Sequence, residues 1–180
     1  MFNLEINDLD KKIWDEELND FVPEKVYDVH THIYQWQSNL DKNKNTGPYK
    51  YQGENFQNVS FDLLNDVDNK IMPGRVVERL SFPFPYNYPC DFDNSNHYVS
   101  SQTNNNKESD NLILINPMMS KEEITKNLQS SQAVGFKPYR TYSKTGDITN
   151  CRITDFMSEE HIKIADEKSL IIMMHLSKKY

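Results

Sequence analysis

Asp28, His30 and His32 recur at every second position of Val26-Tyr27-Asp28-Val29-His30-Thr31-His32-Ile33, an apolar, β-branched run. Side chains on a strand alternate between its two faces, so this spacing predicts all three on one side. Two imidazoles side by side make half of a metal site. A catalytic zinc-type site takes about three protein ligands and leaves one position open for water. His175, at the end of the apolar run Leu170–Leu176, is the third imidazole in an equivalent place. Lys137, within Gly135-Phe136-Lys137-Pro138-Tyr139, occupies the same place in another run, and Gly135 is expected to leave space beneath it. Each of these residues also has a plainer reading. The histidines would satisfy core hydrogen bonds, and the lysine would be a strand-end ammonium paired with a nearby acid. Tyr139 and Arg140, next along, are positioned to contact a substrate or to be ordinary loop residues. His97 and His161 fall in predicted helices and read as solvated faces. Cys90 and Cys151 are too few and too far apart for a disulfide framework or a thiolate zinc site, which suits a reducing compartment.

The elements that must position these residues follow from periodicity and stop signals. Asn7 or Asp8 caps a lead-in helix running to about Asp20, with Leu9, Ile13 and Leu18 as its apolar stripe and Trp14 at the stripe's edge. After the histidine strand comes a long connection, Gln35 to Val59, whose Trp36, Tyr49, Tyr51 and Phe56 suggest a lid. A helix from Phe61 stops at Pro73-Gly74, and a strand spans 75–82. An aromatic, proline-rich loop over 83–89 adds Phe84 and Tyr86 as further wall residues. A polar helix spans about 94–106, and Leu112–Ile115 is a strand. Ser120 and Glu123 form a capping box for a helix facing inward through Ile124 and Leu128. Strand 133–139 carries Lys137, Ser158 caps a helix through Lys168, and strand 170–176 ends the series. Strands and helices alternate, which predicts parallel strands joined by right-handed crossovers. The open doubly wound sheet and the (β/α)₈ barrel both obey this order. None of the five glycines has the G-x-G spacing of a dinucleotide loop, so the nucleotide-binding open sheet loses its main support.

The whole-chain balance narrows the partners. The 180 residues carry a net charge of −7, and no basic stripe, which argues against nucleic acid and anionic membranes and for a small-molecule substrate. The first 20 residues have no basic and apolar leader pattern, and no stretch approaches the ~20 apolar residues of a membrane span, so a cytoplasmic protein is expected. Apolar residues make up 37% and the mean hydropathy is −0.79, low for a fully buried α/β domain.

Asp28-x-His30-x-His32 on the first strand, Gly-Phe-Lys-Pro-Tyr on the fourth and His175 ending the fifth resemble the amidohydrolase superfamily, in particular its branch of metal-dependent hydrolases and decarboxylases. Phe21-Val22-Pro23, Met72-Pro73-Gly74-Arg75 and Asn116-Pro117-Met118-Met119-Ser120 agree with it, and the likeness runs over residues 8 to 178. The resemblance implies an α/β fold of the (β/α)₈ TIM-barrel type and a divalent metal, most often Zn²⁺, that lowers the pKa of a bound water. It also implies His30, His32 and His175 as metal ligands. Lys137 matches the position where some members hold a carbamylated lysine between two metals, and is otherwise an anchor for a substrate carboxylate. The family pattern continues with a histidine on strand 6 and a general-base aspartate on strand 8, and neither is present in these residues. A barrel takes ~250 residues. The expectation is therefore one incomplete barrel domain, with residues 1–24 as lead-in and 25–180 as strands 1 to 5. It would be the N-terminal portion of a hydrolase or decarboxylase, inactive alone and prone to self-association through open edges. The alternative is a non-catalytic remnant, or a subunit that needs a partner chain to complete the barrel.

Overall fold

A computed structural model of the protein describes residues 4–41, 55–106 and 108–176. It is a mixed α/β structure built on one six-stranded sheet. The chain opens with helix α1 (Asp8–Ile13), followed by strands β1 (Lys25–Gln35) and β2 (Asn58–Val59). Helix α2 (Phe61–Ile71), strand β3 (Val76–Pro83), helix α3 (Phe92–Thr103) and strand β4 (Asp110–Ile115) come next. Helix α4 (Lys121–Ser131), strand β5 (Gly135–Pro138), helices α5 (Ile153–Phe156) and α6 (Glu159–Glu167), and strand β6 (Ile171–Ile172) complete it. The sheet order is β2-β1-β3-β4-β5-β6; only β2 runs antiparallel. It pairs with Tyr34 and Gln35, so the connection after the histidine strand ends by covering part of that strand's outer edge. The part of the expected lid carrying Tyr49 and Tyr51 lies outside the described residues.

Local signals set the helix starts. Asn7, rather than Asp8, caps α1 in a reciprocal box with Asp10, and the Ser120–Glu123 box opens α4. Ser60, Asp91 and Ser158 cap α2, α3 and α6 through their side chains. The lead-in segment departs from the expected helix. Its α-helical part ends at Ile13, and Trp14–Leu18 form a wider π turn that shifts the side-chain register. Trp14 is the buried residue, under the Arg75 guanidinium at 4.9 Å, while Leu9, Ile13 and Leu18 stay exposed. The strand expected over 170–176 keeps regular pairing only at Ile171–Ile172, although Met173 N–H still reaches the Phe136 carbonyl at 3.0 Å.

The two faces of the sheet differ. Ile33 packs with Phe61 of α2 and Val99 of α3, and Ile113, Ile115 and Phe136 pack with α4 and α6 through Ile124, Leu128, Ile164 and Ala165. The other face carries Leu80, Phe82 and Leu112, which cluster with Val134 and Met173 next to neighbouring strands. Between β3 and β4 the ladder is short, two residue pairs at Leu80–Ser81. Asn96 of α3 substitutes for the missing rungs. Its carboxamide oxygen accepts from Leu114 N–H at 2.7 Å and its NH₂ donates to the Leu114 carbonyl at 3.1 Å. Among the described residues no helix is long and apolar enough to cross a membrane.

Candidate functional site

The predicted single-face projection of Asp28, His30 and His32 is broken by a β-bulge. Asp28 pairs with Arg79 and Thr31 with Ser81, so three steps along β1 match two along β3. Asp28 thereby shares the parity of Thr31 and Arg79, the helix-facing set, while His32 pairs with Phe82 on the other face. The carboxylate holds the bulge together: one oxygen accepts from His30 N–H at 2.9 Å and the other from the Thr31 hydroxyl at 2.6 Å. Asp28 is thus a bracket for the histidine backbone rather than a third ligand beside the rings.

The two imidazoles do come together, with ring centroids 5.4 Å apart, and both stand edge-on to Phe82 at 4.9 and 4.8 Å. Phe82 is completely buried and is the floor of the site. The sequence signal for it was its alternation with Leu80 along β3. Lys137, from β5, lays its ammonium over the same ring at 4.3 Å and over Tyr139 at 5.3 Å. Tyr139 stands between the histidines: its hydroxyl is 3.5 Å from His32 Nε2, and its ring meets the His175 ring at 5.3 Å. His175 is exposed and lies just past β6. Phe84, 5.6 Å from His32, links the site to an aromatic cluster of Tyr34, Trp36 and Tyr86 at the strand ends.

The electrostatics favour uncharged imidazoles. Burial pushes His32 down to about 4, helped by His30, Lys137 and His175, with the nearby Pro83 carbonyl opposing; no hydrogen bond of good geometry reaches its buried Nδ1. Burial first and Lys137 second lower His30, against the pull of Asp28. Burial, Lys137 and Arg140 lower His175. Desolvation alone brings Lys137 down to about 8, and it raises the Tyr139 phenol. Neutral imidazole is the form that ligates a metal.

No family model, no characterised protein and no solved structure matches this chain.

Several expected placements change. Gly135 does not leave a gap beneath Lys137, because the Ile171 carbonyl fills the place a side chain would take. Arg140 is buried, with its guanidinium donating to the Thr149 carbonyl. His161 is not on a solvated face. It is fully buried with Nε2 2.8 Å from the Met119 carbonyl, fastening α6 to the loop after β4. His97 is exposed as expected, and Cys90 and Cys151 are free thiols. Among the described residues, no three of His, Cys, Asp and Glu stand close enough together to form a metal cage; His30 and His32 are adjacent, and His175 stands beyond Tyr139.

Proposed function

We propose that the face of the sheet carrying Leu80, Phe82 and Lys137, helix-free over its Leu80–Phe82–Leu112 part and met by Phe92 of α3 at Leu114, is the active site of a metal-dependent hydrolase or decarboxylase of the amidohydrolase type, in a sheet that curls as part of a (β/α) barrel. The barrel reading rests on strand order and on burial. The parallel strands follow one another across the sheet in chain order, whereas an open doubly wound sheet reverses its order at a switch point. Leu80, Phe82 and Leu112 are at most 6% exposed although their cluster draws on strand-side neighbours alone, which a concave sheet achieves by packing against itself.

The observation that carries the function is the pair His30 and His32, side by side over Phe82, with His32 half-buried and both rings biased away from the protonated form. His30 and His32 would supply two imidazole donors to a zinc-type cation, and His175, which stands beyond Tyr139, would have to close in to become the third. Held there, such a cation would supply a water of lowered pKa or polarise a substrate carbonyl. The protein's own residues do the rest. The bulge bracketed by Asp28 fixes the His30 backbone, Phe82 sets the direction of both rings, and Tyr139 offers a hydroxyl beside His32.

Zinc titration into chelator-treated protein tests this. One equivalent should bind, and zinc at about 100 times its dissociation constant should stabilise the fold by about 2.7 kcal/mol. His30→Ala and His175→Ala should each lose both effects. Zinc uptake unchanged in both variants, or no uptake by the parent, overturns the proposal.

A further inference from the structure

Two cations are buried on this sheet, one on each face, and they are treated differently. Arg79, on the helix side, is 3% exposed and forms an ion pair with Asp68 of α2. Lys137, on the Phe82 side, is 1% exposed and has no ion pair or hydrogen bond among the described residues. Its ammonium lies over the faces of Phe82 and Tyr139. Contact with aromatic rings recovers only part of the cost of removing an ammonium from water. The surrounding groups do not make up the difference. His30, His32 and His175 are all biased towards the neutral form with Lys137 as one cause, and Arg140 adds positive potential at His175. Asp28, the acid acting on His30, spends both oxygens on the bulge.

We propose that Lys137 is the anchor for the carboxylate of a small organic acid, so that substrates of this site are carboxylate-bearing molecules bound on the Phe82 face. The geometry favours a carboxylate over a phosphate. One ammonium matches a single negative charge, and the nearby Arg140 guanidinium, whose fork a phosphate would also draw on, is held by the Thr149 carbonyl. The rings of Phe82, Tyr139 and His32 supply an apolar wall for the rest of the acid. The inference rests on the Phe82 face being the binding site and does not require the cation.

The probes are benzoate and its neutral isostere benzamide, titrated into chelator-treated protein and followed by NMR chemical shifts. In the absence of metal, a failure of zinc binding leaves this experiment intact. Benzoate should bind saturably and at least tenfold more tightly than benzamide. Lys137→Met should weaken benzoate at least tenfold and leave benzamide unchanged, and Lys137→Arg should restore most of the benzoate affinity. Equal affinities for the two probes, no saturable shift with benzoate, or benzoate binding unchanged in Lys137→Met would each overturn the proposal. If Lys137→Met does not fold, the benzoate-to-benzamide ratio of the parent and of Lys137→Arg decides.

Discussion

Replacing Gly135 by alanine tests the link between the sheet and the site through a single methyl group. The added Cβ would lie 2.0 Å from the Ile171 carbonyl oxygen, 2.7 Å from its carbon and 2.9 Å from Ile171 Cα. All three are backbone atoms, so no side-chain rotation relieves the clash. Ordinary carbon–oxygen contact needs ~3.3 Å or more, so β6 must retreat by over ~1 Å. Ile171 N–H to the Val134 carbonyl and Met173 N–H to the Phe136 carbonyl, each 3.0 Å, then pass beyond hydrogen-bonding range. Two backbone bonds at about 1 kcal/mol each, with overpacking of about 1–3 kcal/mol, give a loss of about 3–5 kcal/mol. For a chain of this length that lowers Tm by about 10 °C. Thermal unfolding measures the loss, and hydrogen exchange at Ile171 and Met173 locates it. Gly146→Ala is the comparison: its φ of +73° is unfavourable, but the space is open, and about 1 kcal/mol is expected. A Gly135→Ala protein within 1 kcal/mol of the parent, with unchanged exchange at those two amides, would refute the reasoning.

Two further outcomes follow from buried polar groups. Asn96→Leu keeps the volume but strips partners from both Leu114 N–H and Leu114 C=O, and should cost about 2–4 kcal/mol in denaturant unfolding; an unchanged midpoint would mean that another group takes over those bonds. His32, lowered to about 4 in the folded chain from an ordinary value of 6.5, binds fewer protons than its unfolded counterpart between those values. Stability therefore rises with pH across pH 4 to 6.5 and falls on acidification, by on the order of 2 kcal/mol from this group, and His32→Gln should flatten that limb of a stability-against-pH curve.

Much of the local structure was legible because its causes are local. The Ser120–Glu123 box, the Ser158 cap and the Pro73-Gly74 stop involve residues a few positions apart, and the helices begin and end close to where these signals stand. The histidine run read as a strand because its β-branched residues suit a pleated backbone. In the lead-in segment the buried side is set by Arg75 lying over Trp14 from across the fold, which the Leu9–Ile13–Leu18 spacing does not contain, and no residue type announces the π turn at Trp14.

The alternation of Asp28, His30 and His32 by itself determined that two imidazoles would share a neighbourhood, since a period of two is a property of the extended chain. The tertiary structure decided where they would look and what would stand beside them. The bulge that turns Asp28 away exists because β1 must match β3 with one residue to spare, a condition set by residues some fifty positions apart. Phe82 beneath the rings, Tyr139 between the histidines, the unpaired Lys137 ammonium and the buried His161 have the same origin: each depends on which strand or loop lies across from it. Short-range spacing specifies which face a side chain takes only where the strand stays regular, and fails for Asp28 across the bulge. Burial and charge depend on the partner across the gap, and packing alone supplies that partner.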